Sequence, residues 1–341
     1  MKRSILIALV MLIAGLITVG TVAAQDAEVV YVDYPEVEIK RPGGATILAD
    51  FGDELAAGDS VITTRFGEAE LELADGGSVS IARDTVYQIQ KVGAQNESQT
   101  VMSVALGAVR FRFNTIAGRS EPSVGSPTAV AGVRGTEFTT YVAADGSTVF
   151  VVEEGLVDVS AEGAQVQLVA GQGVEFAAGE RPGEPFDAIE RAFDFEQYND
   201  ERIAVLLENP VRAVQGHTRR LEQFAEQIEI LIPLYEDTDR RFKEARVKAD
   251  ELEGDARQKF FEEQVVPLRA KTAEYYRNLR FYALSGLSLR RYVLGRMYLL
   301  LSMNYLNQPD STVYEQFREV YQGALDVYER RIVPALIPSD L

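Results

Sequence analysis

The sequence predicts a multidomain chain, an all-β part followed by an all-α part, on three observations. Apolar residues alternate with period 2 through much of the first half and recur with helical spacing in the second. The changeover falls at a run of chain breakers, Ala178-Gly179-Glu180-Arg181-Pro182-Gly183-Glu184-Pro185. Val, Thr and Gly are prominent before that run, whereas Glu, Arg, Leu and Tyr dominate after it. The expected organisation is therefore a signal segment over 1–24, a β part over 25–177, a linker over 178–186 and a helical part over 187–341.

The amino terminus has the order of a secretory signal. Lys2 and Arg3 are followed by an apolar run from Ile5 to Val19 and by small residues at Val22-Ala23-Ala24, with cleavage expected after Ala24. The competing reading is an uncleaved membrane anchor. In both cases the rest of the chain faces outward, in the periplasm or another extracytoplasmic space. No second span is expected, because the most apolar later stretch, Tyr292–Leu301, is interrupted by Arg296.

In the β part, Ala69, Leu71 and Leu73 share one face and Glu68, Glu70 and Glu72 the other, as a half-buried strand requires. Asp75-Gly76-Gly77 supplies a turn, and Val79 and Ile81 resume the apolar face, which predicts a hairpin. The same pattern returns at Thr139–Val142, the Asp145-Gly146 turn and Val149–Val152. A strand-entry unit, glycine followed by alternating residues, begins at Gly67, Gly107, Gly155 and Gly173. Its recurrence points to a stacked or wrapped β architecture, solenoid-like or a sandwich.

In the helical part, Leu221, Phe224, Ala225, Ile228, Leu231 and Ile232 fall on one helix face. Tyr314, Phe317, Tyr321, Ala324, Leu325 and Tyr328 do the same in a later segment. Pro210 is placed to open one helix, and Asp310 or Ser311 to cap another. Pro233 and Pro267 should each end or kink a helix. About four or five helices are expected, arranged as an antiparallel bundle. The stretch Leu279–Leu306 is apolar on more than one face, which suits a central helix or one that docks on a partner, with burial inside the chain favoured.

Charge and composition narrow the chemistry. The formal net charge is −18, and loss of Lys2 and Arg3 takes the mature chain to about −20. Such an acidic surface repels phosphate backbones, so no nucleic-acid partner is expected. The sequence has no cysteine, which removes thiol catalysis and thiolate metal sites. His217, the only histidine, sits beside Arg219 and Arg220 and reads as a solvated helix residue. The Gly58-Asp59 and Asp75-Gly76-Gly77-Ser78 stretches lack the alternating carboxylates of a calcium loop, so turn chemistry explains them and no metal or cofactor is expected. Glu153 and Glu154 are adjacent on a strand and point to opposite faces, so they cannot flank one glycosidic bond. No catalytic residue is assigned.

Several strings in the β part resemble the FecR domain family. They are Leu55-Ala56-Ala57-Gly58-Asp59-Ser60-Val61-Ile62-Thr63, Ala69-Glu70-Leu71-Glu72-Leu73-Ala74-Asp75-Gly76-Gly77-Ser78-Val79 and Ser126-Pro127-Thr128-Ala129-Val130-Ala131-Gly132-Val133-Arg134-Gly135-Thr136-Glu137-Phe138. Val151–Val157 and Leu168–Gln172 continue the pattern, which spans residues 45–177. The resemblance implies an extracytoplasmic β-rich module. The founding type is a membrane regulator that senses a loaded outer-membrane iron transporter and controls a sigma factor. That type carries an anti-sigma segment before its membrane helix, whereas only Met1–Ser4 precede the apolar run here, so direct sigma-factor control is not expected.

Within the most family-like string, Arg134 and Glu137 are the candidate binding residues. One reading pairs Arg134 internally with Glu137 or another acid. The other makes Arg134 an anchor for a partner carboxylate, through two hydrogen bonds from one guanidinium. The expected function is an exported, non-catalytic binding or signalling module of the cell envelope acting through protein or glycan contacts. The alternatives are a structural envelope protein assembled through its helical part and, more remotely, a carboxylate-based envelope hydrolase with a deep pocket and a raised carboxyl pKa. Expected partners are an envelope protein or a second copy of the chain, with membrane contact only through an uncleaved signal segment.

Overall fold

The structure is a computed structural model that describes residues 26–336 apart from 75, 93–98, 115–121, 134, 162–163 and 192. The signal segment and Arg134 lie outside the described residues, as does Asp75 of the first expected turn.

The chain forms a large, mostly antiparallel, unclosed β part followed by helices, as its two periodicities require. The strands fall into two ladders. The first contains β1 (Ala27–Val32), β4 (Glu54–Leu55), β6 (Ala69–Leu73), β7 (Ser78–Ile81), β9 (Gln99–Arg112), β12 (Glu137–Val142), β13 (Thr148–Glu154), β16 (Gln172–Phe176) and β17 (Phe186–Asp187). The second contains β2 (Val37–Lys40), β3 (Thr46–Leu48), β5 (Ser60–Thr63), β8 (Val86–Val92), β10 (Ser123–Gly125), β11 (Val130–Val133), β14 (Leu156–Ala161) and β15 (Ala164–Val169). The pairing of β9 with β10 is parallel.

Strand β9 belongs to both ladders. Its residues 99–106 pair with β8, and Gly107–Arg112 pair with β12. The crossing point is Gly107, at φ +88°. A glycine read from sequence as a strand entry is therefore a bend inside one long strand, and only glycine takes that φ without strain. The expectation is met at Gly67 and Gly155, which stand just before β6 and β14.

Both expected hairpins form. Leu71 pairs with Val79 across β6–β7, and Tyr141 with Val149 across β12–β13. Ala69, Leu71 and Leu73 are buried while Glu70 and Glu72 are exposed. One apolar core unites both ladders, with Phe111 and Phe138 stacked at 5.3 Å between ring centroids near its middle. The sheet outlasts its expected boundary: Phe186, the last residue of the expected linker, and Asp187, the first of the expected helical part, pair with β16. Glycine at 173 makes this possible, since a Cβ there would come within 2.6 Å of the Phe186 ring.

The helices are α1 (Ala188–Arg191), α2 (Phe195–Glu208), α3 (Pro210–Asp250), α4 (Gly254–Phe260), α5 (Val266–Ser288), α6 (Gly295–Asn304), α7 (Thr312–Val327) and α8 (Val333–Leu336). Pro210 occupies the first turn of α3, and the Ser311 hydroxyl accepts the Tyr314 N–H at the start of α7. Asp194 caps α2 by accepting from Gln197 N at 3.1 Å. Pro233 does not end its helix, because α3 runs through it to Asp250. Pro267 stands two residues after a π-helical turn, Phe261–Val265. The residue four before it, Glu263, lies in that wider turn, where an α-helical carbonyl would otherwise meet the proline ring.

The helical core gathers Leu221, Phe224 and Ile228 of α3 with Leu294, Met297 and Leu301, and with Phe317 and Ala324 of α7. The apolar stretch 279–306 is buried over much of its length, yet Leu299, Met303 and Leu306 are 58%, 68% and 76% exposed. Among the described residues, no helix is long and apolar enough to cross a membrane.

Candidate functional site

The β12–β13 turn is where the β part grips the helices. Gly146, at φ +83°, lets the chain reverse, with Ala143 N donating to Ser147 O at 2.8 Å. Asp145 is then turned inward. Its Oδ1 accepts from Ser147 N and its Oδ2 from Ser147 Oγ, both at 2.9 Å. Arg202 of α2 donates to the same Oδ2 from Nε and Nη2, at 3.1 and 2.8 Å. Burial works against the Arg202 charge, but the Asp145 carboxylate outweighs it and raises the guanidinium pKa. Arg202 also lies 3.6 Å from Glu175, which accepts the Tyr198 hydroxyl at 3.0 Å. Burial, reinforced by the Glu175 charge, pushes the Tyr198 phenol well above its ordinary value, so it stays a proton donor.

His217 completes this junction and corrects the solvated reading. It is 1% exposed, and its Nε2 stands 2.6 Å from Asp145 O. A carbonyl only accepts, so Nε2 carries a proton, and burial disfavours a second one on the ring. Its neighbour Arg219 misleads because a residue two further along a helix points away from it, and Arg219 is exposed. Residues 214, 221 and 224, at spacings of three, four and seven from it, are the core residues Val214, Leu221 and Phe224. That spacing was the available signal.

The expected linker is part of the junction. A Cβ on Gly216 would come within 2.5 Å of Gly179 N, so α3 meets the linker backbone at a glycine on each side. Ala178 N donates to Ser147 Oγ at 2.9 Å. Beside it, Tyr141 of β12 packs its ring against Phe193 at 4.8 Å and Phe195 at 5.4 Å.

Burial lowers the His217 pKa from its ordinary 6.5, with the Asp145 carbonyl and carboxylate opposing. The folded state thus prefers the neutral ring while the unfolded state binds the proton more readily. Its stabilisation is present above about pH 6.5 and is lost as pH falls through the lower folded-state value. His217→Gln keeps an amide donor without a titrating ring. Urea titrations from pH 7 to 5 are expected to show a smaller loss of stability for this variant than for the wild type.

Of the candidate binding residues, Glu137 lies buried on β12. Its Oε2 accepts from Arg112 Nε at 2.9 Å and its Oε1 from Arg112 Nη2 at 3.0 Å, and Arg110 pairs with the same carboxylate. The Arg112 hydrogen bonds, aided by Arg110, hold its pKa below the ordinary value against burial. The structure therefore brings Glu137 together with these two β9 cations, and Arg134 lies outside the described residues. Asp59 is buried, accepts Ala56 N at 2.9 Å and pairs with Arg41. Glu153 has a pKa raised by burial, partly offset by the Thr139 hydroxyl that donates to it at 2.7 Å.

A cleft of about 540 Å³ opens between β8–β10 of the second ladder and helices α3 and α5. Val92, Val101 and Val130 wall one side, and Phe224, Phe281 and Leu289 the other. The cleft arises between two parts of the chain, so no local pattern announces it. Glu153, on β13 of the first ladder, is not among its walls.

Residues 59–158 match the family described as FecR protein, inside the span expected from the sequence strings. No curated protein matches the chain. A crystal structure of a candidate anti-sigma factor from Parabacteroides distasonis is similar over 34% of this chain and 53% of its own, at 17% identity and a TM-score of 0.30. A second structure described in the same words gives 18% identity over the same shares, also at 0.30. A cell surface anchoring domain is similar over 19% of this chain and 83% of its own, at 22% identity and a TM-score of 0.18. The chain spans about half the length of the Parabacteroides structures it matches.

Proposed function

We propose, from the premise that residues 59–158 form a FecR domain, that the chain is an exported, non-catalytic binding or signalling module of the cell envelope. The β part presents the contact surface to an envelope protein or glycan, and the helices, clamped to it at Asp145, carry a second contact. The family match is the observation that supports this reading. Arg134 is the proposed anchor for a partner carboxylate. Pull-down from mildly solubilised envelope extracts is expected to recover a partner with the wild-type chain and less of it with Arg134→Gln. Recovery of no partner by either protein counts against the reading.

Self-assembly through the helices is the second reading, supported by Leu299, Met303 and Leu306, which are exposed at spacings of four and three. Replacing all three with serine should convert an oligomer to a monomer in light scattering. A wild-type chain that is already monomeric at tens of micromolar removes this reading.

A further inference from the structure

We infer that the cleft between β8–β10 and helices α3 and α5 is a binding site for a fatty acid, its acyl chain lying between the apolar walls and its carboxylate accepting a hydrogen bond from Ser288. The volume, about 540 Å³, lies within the usual range of small-ligand sites. Its facing walls, such as Val101 against Phe281, offer an acyl chain contact on both sides.

Ser288 points to the polar end of the ligand. It lines the cleft, is only 6% exposed, and its Oγ has no hydrogen-bond partner in the protein. A helical hydroxyl ordinarily donates to the carbonyl four residues earlier, as Thr218 does to Val214 O at 2.8 Å. Ser288 does not, although a buried unpaired hydroxyl is costly. It is the last residue of α5 before the π-helical turn Leu289–Leu294, a local widening that often accompanies functional sites. Arg220 lines the same cleft, donating to Gln223 and lying 4.9 Å over the Phe224 ring.

The site is independent of the protein contacts proposed above, and its test uses the purified mature chain alone. Dansyl-labelled undecanoic acid, titrated below its micelle concentration, is expected to bind saturably, one per chain, with a fluorescence blue shift. Ser288→Ala should weaken binding about tenfold, as loss of a charge-assisted hydrogen bond would. Ser285→Phe, which fills the cleft from α5, should weaken it further, and Val247→Ser, far along α3, should leave it unchanged. Displacement by free dodecanoate supports the assignment. Displacement by phosphatidylethanolamine vesicles but not by dodecanoate overturns it, as does saturable binding unaffected by Ser288→Ala. Ser288→Ala removes a single oxygen, so it remains decisive if Ser285→Phe fails to fold.

Discussion

Replacing Asp145 with alanine is expected to lower the unfolding free energy by about 3 to 5 kcal/mol, the range for removing one partner of a buried ion pair. The carboxylate is 1% exposed and holds the Ser147 N–H, the Ser147 hydroxyl and the Arg202 guanidinium at once. Without it, Arg202 is left in a half-closed site with only Glu175 at 3.6 Å. Arg202→Ala should cost less, because the Ser147 donors still serve Asp145. The double variant should cost less than the two singles together, since both changes break one contact. Urea unfolding followed by circular dichroism measures all three. A loss below about 1 kcal/mol for Asp145→Ala would class the pair with exposed ones and remove the clamp from the account.

Gly107→Val is the second large effect, expected at about 2 to 5 kcal/mol from left-handed backbone strain together with overpacking. Two costs combine at this position. The backbone sits at φ +88°, and a Cβ would come within 2.7 Å of Asp84 O and of Thr85 Cα, which are main-chain atoms that cannot swing aside. It would also meet the Thr85 hydroxyl, which accepts the Ala108 N–H. Because β9 passes from one ladder to the other here, the damage should spread to both. Hydrogen exchange is expected to speed up in β8 and β12 alike, whereas a purely local defect would leave β12 protected.

The parts of this fold that sequence discloses are those fixed by neighbours along the chain. Alternation at Ala69–Leu73 and the glycines after it specify β6 and β7, because a half-buried hairpin needs that pattern. Helical spacing likewise gives the buried faces of α3 and α7. What escapes is set by contacts far apart in sequence. Asp145 meets Arg202 across 57 residues and His217 across 72, and turn grammar explains Asp145 without either. His217 was legible from its spacing to Val214, Leu221 and Phe224 but masked by the charges beside it. Gly107 reads as a strand start because a glycine that bends one long strand and a glycine that opens a new one look alike along the sequence.

Photocrosslinking in intact cells, with fractionation, tests the central proposal of an exported envelope module most directly. A photoreactive residue at exposed positions such as Val169 on β15 and Met303 on α6 should yield a discrete adduct with an envelope protein or a second copy of the chain, in an extracytoplasmic fraction and with residues 1–24 removed. A chain that remains in the cytosol and gives no adduct at any exposed position would contradict it.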